Sequence, residues 1–213
     1  MVAVVAMAVW ARGLPTVSTA YITAESMAPN LLPGDMIVVL GWWRFGESNR
    51  RPLRSHQRGD VIFFAAADGR GGAMVKRLVG LPGDTLEMID GQLILNGEPQ
   101  IEPYIISGTH VDLVGHPRML AVMSWHPDLL PQNVDPASYV PSRDNWGPLV
   151  MPPDRYFVLG DNRDLSIDSR YWGPIEGWRI RGKARVIYFS LVRAQTSDRA
   201  LTIRWARLGK RIS

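Results

Sequence analysis

The sequence predicts an all-β fold of antiparallel strands, and three observations carry this prediction. The chain has 213 residues, enough for one domain with a full hydrophobic core. It contains 20 Gly and 16 Pro, and its turn signals recur at short spacing, which favours short strands over long helices. Apolar and β-branched runs follow one another without an intervening helical stretch, an arrangement typical of antiparallel sheets.

The predicted strands follow in chain order, separated by turns. The first two, in TVSTAYITAES and DMIVVLGWW, are rich in β-branched residues and flank a Pro-Gly-Asp turn. GDVIFFAAADG and AMVKRLVGLPGD come next, and TLEMIDGQLILNGEPQ contains Asp90-Gly91 and Asn96-Gly97, which predict two-residue hairpin turns. RYFVLGD and KARVIYFSLV supply two late strands. Residues 104–150 are irregular and rich in Pro, so we expect a loop-rich insertion at about 104–145.

The N-terminal residues predict a membrane contact. Ten apolar residues from Val2 to Ala11, with Trp10 and Arg12 at their end, are typical of a membrane interface. A full span needs roughly 20 apolar residues, so residues 1–12 are expected to be part of a longer spanning helix or a shallow interfacial anchor. A buried core segment is the alternative. Residues 13–213 then form the β domain.

Positive charge is concentrated near the C-terminus. Residues 178–213 carry ten Lys and Arg against one Asp, whereas residues 1–177 carry 14 against 19 Asp and Glu. Anionic lipid, nucleic acid or solvent could face such a segment. Its ending, RWARLGKRIS, has neither a helix-turn-helix pattern nor an aromatic stacking platform, so we expect no nucleic-acid partner. The chain has no Cys and its four His are scattered, so no metal site is predicted.

Ser26 is a candidate nucleophile, and Lys76 is a candidate base. AESMAPNLLPGD places Ser26 where a strand-like run ends, although the turn that follows does not require a Ser there. Lys76 is one of three lysines, and strand alternation places it on the same face as Met74 and Leu78, with Arg77 on the opposite face. Burial there would lower the pKa of the lysine and provide a neutral amine as base. Alternatively, a lysine on a strand can extend to solvent with no functional role.

The segment GDNRDLSIDSRYWGPI, which follows the apolar run YFVL, is dense in charge. Its Asp and Asn residues suit turns. Arg163 and Arg170 can pair with carboxylates of the same segment, those of Asp161, Asp164 or Asp168. A polar cluster beside a buried strand could support a catalytic site from behind.

Together these segments resemble the bacterial type I signal peptidases, or leader peptidases. SMAPNLLPGD is similar to the serine box of that family, GDVIFF to the box that follows, VKRLVGLPGD to its lysine box and GDNRDLSIDSRYWG to its last box. Four boxes in the expected order are far more specific than any one motif. The resemblance covers roughly residues 10–103 and 144–213 and leaves the intervening stretch unmatched.

The resemblance implies a signal-peptidase/LexA-like β fold at the bacterial inner (cytoplasmic) membrane, with the catalytic domain on the periplasmic or extracytoplasmic side. It implies a monomeric serine endopeptidase without a cofactor, in contact with membrane lipid, which removes signal peptides from exported preproteins after Ala-x-Ala-type sites. Ser26 would be the nucleophile and Lys76 its general base. The other residues implied are the supporting Ser166, Asp168 and Arg170 and the substrate-binding Ile22, Met27, Leu31, Met74 and Val75.

Two positions depart from the family pattern, and alternatives stay open. Ala24 stands where many relatives have a Ser that helps to stabilise the oxyanion, and Asn30 replaces a Thr. A specialised maturation protease for a pilin or a conjugation or secretion substrate would keep the same Ser/Lys dyad. A catalytically silent peptide-binding β module would lack it. A self-cleaving repressor would need an N-terminal DNA-binding module, which the sequence does not contain.

Overall fold

The computed structural model describes residues 5–6, 16–41, 56–66, 71–106, 115, 117–193 and 201–213. Within these ranges the chain forms antiparallel strands, as the sequence predicts. The strands are β1 (Val5–Ala6), β2 (Thr16–Tyr21), β3 (Asp35–Gly41), β4 (Val61–Ala65), β5 (Ala73–Gly80), β6 (Thr85–Ile89), β7 (Gln92–Leu95), β8 (Glu98–Pro99), β9 (Trp146–Val150), β10 (Arg155–Leu159), β11 (Ile175–Glu176), β12 (Ile180–Arg193) and β13 (Leu201–Ile203).

The strands form two sheets. The large sheet has the order β1-β2-β3-β12-β4-β5-β10-β11, and β13 pairs with β12. The small sheet has the order β8-β7-β6-β9. At 14 residues β12 is long enough to pair with β4 near its start, with β3 along its middle and with β13 at its end. It therefore joins β3, which follows the segment of Ser26, to β4, which precedes the strand of Lys76, within one sheet.

The predicted hairpin turns of the small sheet are confirmed. Asp90 and Asn96 have φ angles of 48° and 52°, and the glycines after them have φ angles of 79° and 85°. Two successive residues with positive φ match the right-handed twist of the flanking strands, which explains the Asp-Gly and Asn-Gly pairs. The turns fix the register of β6 on β7 and of β7 on β8.

The insertion contains more regular structure than predicted. Helix α1 (Pro117–Val122) and a 3-10 turn (His126–Leu129) lie within it. The stretch predicted to be irregular, 104–150, ends in strand β9, which pairs with β6. This part of the prediction was wrong because Gly147 and Pro148 read as loop residues in isolation. Pro is tolerated on the outer strand of a sheet, and β9 is such a strand. A second short helix, α2 (Ser169–Trp172), follows β10.

Most of the predicted N-terminal anchor lies outside the described residues. Val5 and Ala6 form a two-residue strand paired with Thr19 and Ser18. None of the helices in the described ranges is both long and apolar enough to span a membrane. The anchor at residues 1–12 therefore stays a prediction.

Three apolar clusters form the core, and β5 contributes to all of them. Val75 packs with the cluster around Ile37 and Ile187, and Val79 belongs to the cluster around Leu86 and Phe157. Met74 and Leu78 lie in the third cluster, with residues such as Ile62 and Phe64. The predicted alternation along β5 is confirmed, so Lys76 and Arg77 enter the interior on opposite faces of the sheet.

Candidate active site

Lys76 is buried in the middle of β5. Its backbone pairs with Ile62 on β4, and its side chain is 4% exposed. Its Nζ donates a hydrogen bond of 3.0 Å to Ser166 Oγ. Burial lowers the pKa of Lys76 from 10.5 to about 8, against the opposing effect of the Asp168 carboxylate. A lysine in this state supplies a substantial fraction of neutral amine near neutral pH.

Ser26 lies in the loop that joins β2 to β3. Its carbonyl oxygen accepts a hydrogen bond of 3.1 Å from the amide of Asn162, which anchors it to the segment after β10. Gly160 leaves the space for this contact. A Cβ atom at Gly160 would lie 2.2 Å from Ser166 Oγ and 2.4 Å from the Ser26 carbonyl oxygen. The backbone of Ser26 and the hydroxyl of Ser166 therefore pack on the same glycine, and Ser166 contacts Lys76.

The Asp168–Arg170 pair binds the backbone of the segment that contains Gly160 and Ser166. Both side chains are buried, and Arg170 makes two hydrogen bonds to the Asp168 carboxylate, from Nε at 2.8 Å and from Nη2 at 2.9 Å. Asp168 also accepts the amide of Gly160 at 3.0 Å, and Arg170 Nη2 donates to the carbonyls of Arg163 and Ser166. Burial raises the pKa of Asp168, but the charge and hydrogen bonds of Arg170 outweigh it, so the pKa is lowered.

Ser166 therefore receives support at two points. Its hydroxyl contacts Lys76, while its carbonyl accepts from Arg170. The structure brings Lys76, Ser166, Asp168 and Arg170 together in one buried cluster, with the backbone of Ser26 against it through Gly160.

A second buried pair on the opposite face of β5 was not predicted. Arg77 makes two hydrogen bonds to Asp161, of 2.7 and 2.8 Å, and its guanidinium lies 4.0 Å from the ring centroid of Tyr104. Asn30 donates to the same carboxylate at 2.8 Å and to the Tyr104 carbonyl at 2.9 Å. The loop that carries Ser26 is therefore tied to Asp161 as well as to Asn162.

Only part of the predicted pairing within the last box is found. Arg170 pairs with Asp168, as one of the predicted options has it, but Arg163 does not pair with a carboxylate of its own segment. Instead it makes two hydrogen bonds to Glu102, of 3.0 and 2.6 Å, just before the insertion. Asp164 pairs with Arg143, at the end of the insertion. Both partners are distant in sequence, which local reasoning does not detect.

Two arginines of the basic C-terminal segment also have an internal role. The fully buried Asp35, at the end of the serine box, contacts Arg204 at 3.3 Å and Arg207 at 2.5 Å and accepts from Ser190 Oγ at 2.6 Å. Arg207 additionally donates to the carbonyl of Asn30 at 2.8 Å. Burial raises the pKa of Asp35, but the hydrogen bonds from Arg207, Leu32 and Ser190 outweigh it, so the pKa is lowered. These two charges stabilise the loop after Ser26.

The predicted substrate-binding residues fall into two groups. Ile22, Met27 and Leu31 are buried in one cluster, against which Val75 packs. Met74 packs against a different cluster, on the opposite side of β5. Their role in binding substrate stays a prediction. In the described ranges no three His, Asp or Glu side chains are grouped as metal ligands would be.

The chain matches the family described as signal peptidase, peptidase S26, over residues 1–189. The chain belongs to the peptidase S26 signal peptidase family. It is 30% identical over 180 residues to a signal peptidase I of Leptolyngbya laminosa, which covers 81% of this chain and 69% of that protein. It is 29% identical over 178 residues to a probable signal peptidase I-2 of a Synechocystis species, which covers 81% of this chain and 63% of that protein.

Among solved structures, a signal peptidase I from Enterococcus faecalis is similar at 30% identity, covers 62% of this chain and 97% of its own, and has a TM-score of 0.40. The predicted class, a serine peptidase of the signal peptidase I type, is confirmed at the level of the family. The Ala-x-Ala specificity and the Ser26/Lys76 mechanism stay predictions.

Proposed function

We propose that the protein is a membrane-associated serine endopeptidase that removes signal peptides from exported preproteins after Ala-x-Ala-type sites. Ser26 is the nucleophile, and Lys76 is the general base. The observation that carries the proposal is the state of Lys76, a buried amine with a pKa of about 8 whose hydrogen bond goes to a hydroxyl. A lysine with its ordinary pKa would be about 0.03% neutral at pH 7, whereas a pKa near 8 leaves roughly 10% neutral.

The reaction follows from these protonation states. Neutral Lys76 takes the proton of Ser26 Oγ as that oxygen attacks the scissile carbonyl. The resulting ammonium protonates the leaving amine, and the C–N bond breaks to give an ester on Ser26. Lys76, neutral again, removes a proton from water as the water attacks the ester, and it returns that proton to Ser26 Oγ as the acyl–oxygen bond breaks. Ser166 keeps Nζ at a fixed position through these steps, since its hydroxyl can accept from either form of the amine.

The edge of β5 supports binding of an extended peptide. On one side β5 pairs with β4 from Ala73 to Arg77. On the other side, within the described ranges, β10 pairs with β5 only from Arg77 to Gly80. Among the described residues, 73–76 therefore present an unpaired strand edge that ends at the proposed base. A substrate strand added there would place alternate side chains toward the cluster of Ile22, Met27, Leu31 and Val75, with Met74 on the other face.

We further propose that the protein works at the bacterial inner membrane as a monomer, with its β domain on the periplasmic or extracytoplasmic side and without a cofactor. The apolar run at residues 2–11 supports contact with lipid. Membrane association also fits the substrate, because a signal peptide is itself apolar and enters the bilayer.

Digestion of a panel of preproteins by the full chain in lipid vesicles, with the products identified by mass spectrometry, tests the proposal. We expect one cut per preprotein after Ala-x-Ala, and no cut with Ser26→Ala. Cleavage of a pilin-type substrate alone would support the specialised maturation protease instead. Cutting by Ser26→Ala at the wild-type rate would contradict the assignment of the nucleophile.

A further inference from the structure

The insertion docks onto the catalytic segment through two side chains. Helix α2, which contains Arg170, has four residues, so the carbonyls of its last turn lack partners inside the helix. Trp125 Nε1 donates to the carbonyl of Tyr171 at 3.0 Å, and His126 Nε2 lies 3.0 Å from the carbonyl of Arg170. Two consecutive carbonyls of α2 are thus capped by two consecutive residues from the insertion.

The hydrogen bonds around His126 define its tautomer. Its ring is fully buried, and Nδ1 lies 2.8 Å from the hydroxyl of Tyr139. The same hydroxyl accepts the amide of Gly147 at 2.8 Å, so its single proton is free to be donated to Nδ1. Nδ1 is then an acceptor, and Nε2 carries the proton that is donated to the Arg170 carbonyl. Burial lowers the pKa of His126 to about 4, which keeps this neutral form over the working range of pH.

The position of Arg170 affects the base directly. Three charged groups act on Lys76, those of Asp168, Arg170 and Asp161, and burial has the largest effect on its pKa. Arg170 also donates to the carbonyl of Ser166, whose hydroxyl holds Nζ. A shift of α2 would therefore move the Arg170 cation away from Lys76 and release the serine whose hydroxyl holds Nζ.

We infer that His126 is a positioning residue for the base. The insertion at 104–145 then contributes to catalysis and is not only a peripheral addition to the β domain. His126 does not touch the reacting atoms. It acts through the Arg170 carbonyl, and Tyr139 acts through His126. The inference rests on the proposed function because it deepens the role given to Lys76.

The test measures the pKa of Lys76 directly, in an experiment separate from the cleavage assay. The chain has three lysines, so lysine labelled with ¹³C at the ε carbon gives three NMR signals, and Lys76→Met identifies the one required. In the full chain we expect His126→Ala to raise the pKa of Lys76 by about one unit, because the Arg170 cation that lowers it is no longer held in place. We expect kcat at pH 7 to fall about tenfold with little change in KM. Because the Nε2 of a glutamine can reproduce the donor, His126→Gln should restore both values.

Asp128→Ala is the matched control, since Asp128 lies in the same 3-10 turn and is exposed. It should leave the titration and the kinetics unchanged. If His126→Ala does not fold, Tyr139→Phe carries the test, and the pKa of Lys76 should again rise. A Lys76 titration identical to wild type in a folded His126→Ala or Tyr139→Phe protein would overturn the inference. Failure of the wild type to cut preproteins would refute the proposed function and leave the NMR result standing.

Discussion

Lys76 and Arg77 are neighbours on one strand, equally buried, and their environments are opposite. Two nitrogens of Arg77, Nε and Nη2, bind the carboxylate of Asp161. The third, Nη1, donates to the backbone oxygens of Gly59 and Ser213 at 2.7 and 2.8 Å. Lys76 meets a hydroxyl, and in the described part of the chain no carboxylate lies within ion-pair distance of Nζ. The charged groups with the largest electrostatic effect on Lys76, those of Asp168 and Arg170, form a pair that is neutral as a whole.

The difference shows how one sheet holds two cations for two purposes. A buried charge is stable when it is paired and hydrogen-bonded, and Arg77 has both kinds of contact. It binds Asp161, which also binds Asn30, and it packs on the ring of Tyr104. A buried amine without a carboxylate is easier to deprotonate, and its pKa falls. Asp161 and Asp168 come from the same loop after β10, and each serves a different face of the sheet.

The largest effect should follow from making Lys76 resemble its neighbour. Lys76→Arg keeps the charge but removes the proposed base, because a guanidinium does not give up a proton near neutral pH. We expect preprotein cleavage to fall by at least about 10³-fold. The measurement is kcat/KM on one Ala-x-Ala peptide, with the melting curve recorded for each protein.

The converse change, Arg77→Lys, is the control for this prediction. It should retain most of the activity and lose stability, since a lysine cannot reproduce the two parallel bonds to Asp161. Equal loss of activity in both variants would show that the two cations do not differ in role.

The carboxylates should both matter for stability. Asp161→Ala leaves Arg77 buried without its partner, and Asp168→Ala does the same to Arg170. Each should cost about 3–5 kcal/mol in the free energy of unfolding, measured by urea denaturation. A loss below about 1 kcal/mol at either site would mean that water reaches and solvates the arginine. Glu176→Ala, which removes partly exposed pairs with both Arg155 and Arg179, should cost clearly less, about 1 kcal/mol.

Lys76 should itself be costly for the fold at neutral pH. Its pKa is about 8 in the folded state and 10.5 in the unfolded state, so between these values the unfolded chain binds more protons and stability rises with pH. Below pH 8 the full cost applies, about 3 kcal/mol. Lys76→Met should therefore stabilise the protein at pH 7, with the gain shrinking toward pH 10.5. Lys183→Met, which removes a pair with Asp60, should show no such gain.

The sequence was most informative where the relevant contact is local or repeats along the chain. The alternation along β5 separated Lys76 from Arg77, and Asp-Gly and Asn-Gly predicted the hairpins. The pair of Asp168 and Arg170 lies two residues apart. The boxes around Ser26 and Lys76 were sufficient to predict the family.

The contacts that the sequence did not predict join distant parts of the chain. Arg77 and Asp161 are 84 residues apart, and Arg207 and Asp35 are 172 apart. Charge composition alone could not distinguish Arg207, which stabilises the serine loop, from a solvated basic residue. Nor could it show that a histidine of the insertion caps the helix that carries Arg170. Such partners are decided by the order of strands in the sheet, which local patterns leave open.

The smallest expected effect is a shift in the pH dependence of cleavage. It should be larger for a substitution of Asp168 than for one of Asp161. In the proposed mechanism only neutral Lys76 accepts the proton of Ser26, so kcat/KM should rise about tenfold per pH unit and level off above the pKa of about 8. Asp168 raises the pKa of Lys76 more than Asp161 does. Asp168→Asn should therefore move the rising limb to lower pH, whereas Asp161→Asn should move it less. The measurement is kcat/KM between pH 5 and 10 on a peptide without titratable groups. A limb that stays in place in Asp168→Asn, in a protein that remains folded, would show that the rate reports a group other than Lys76.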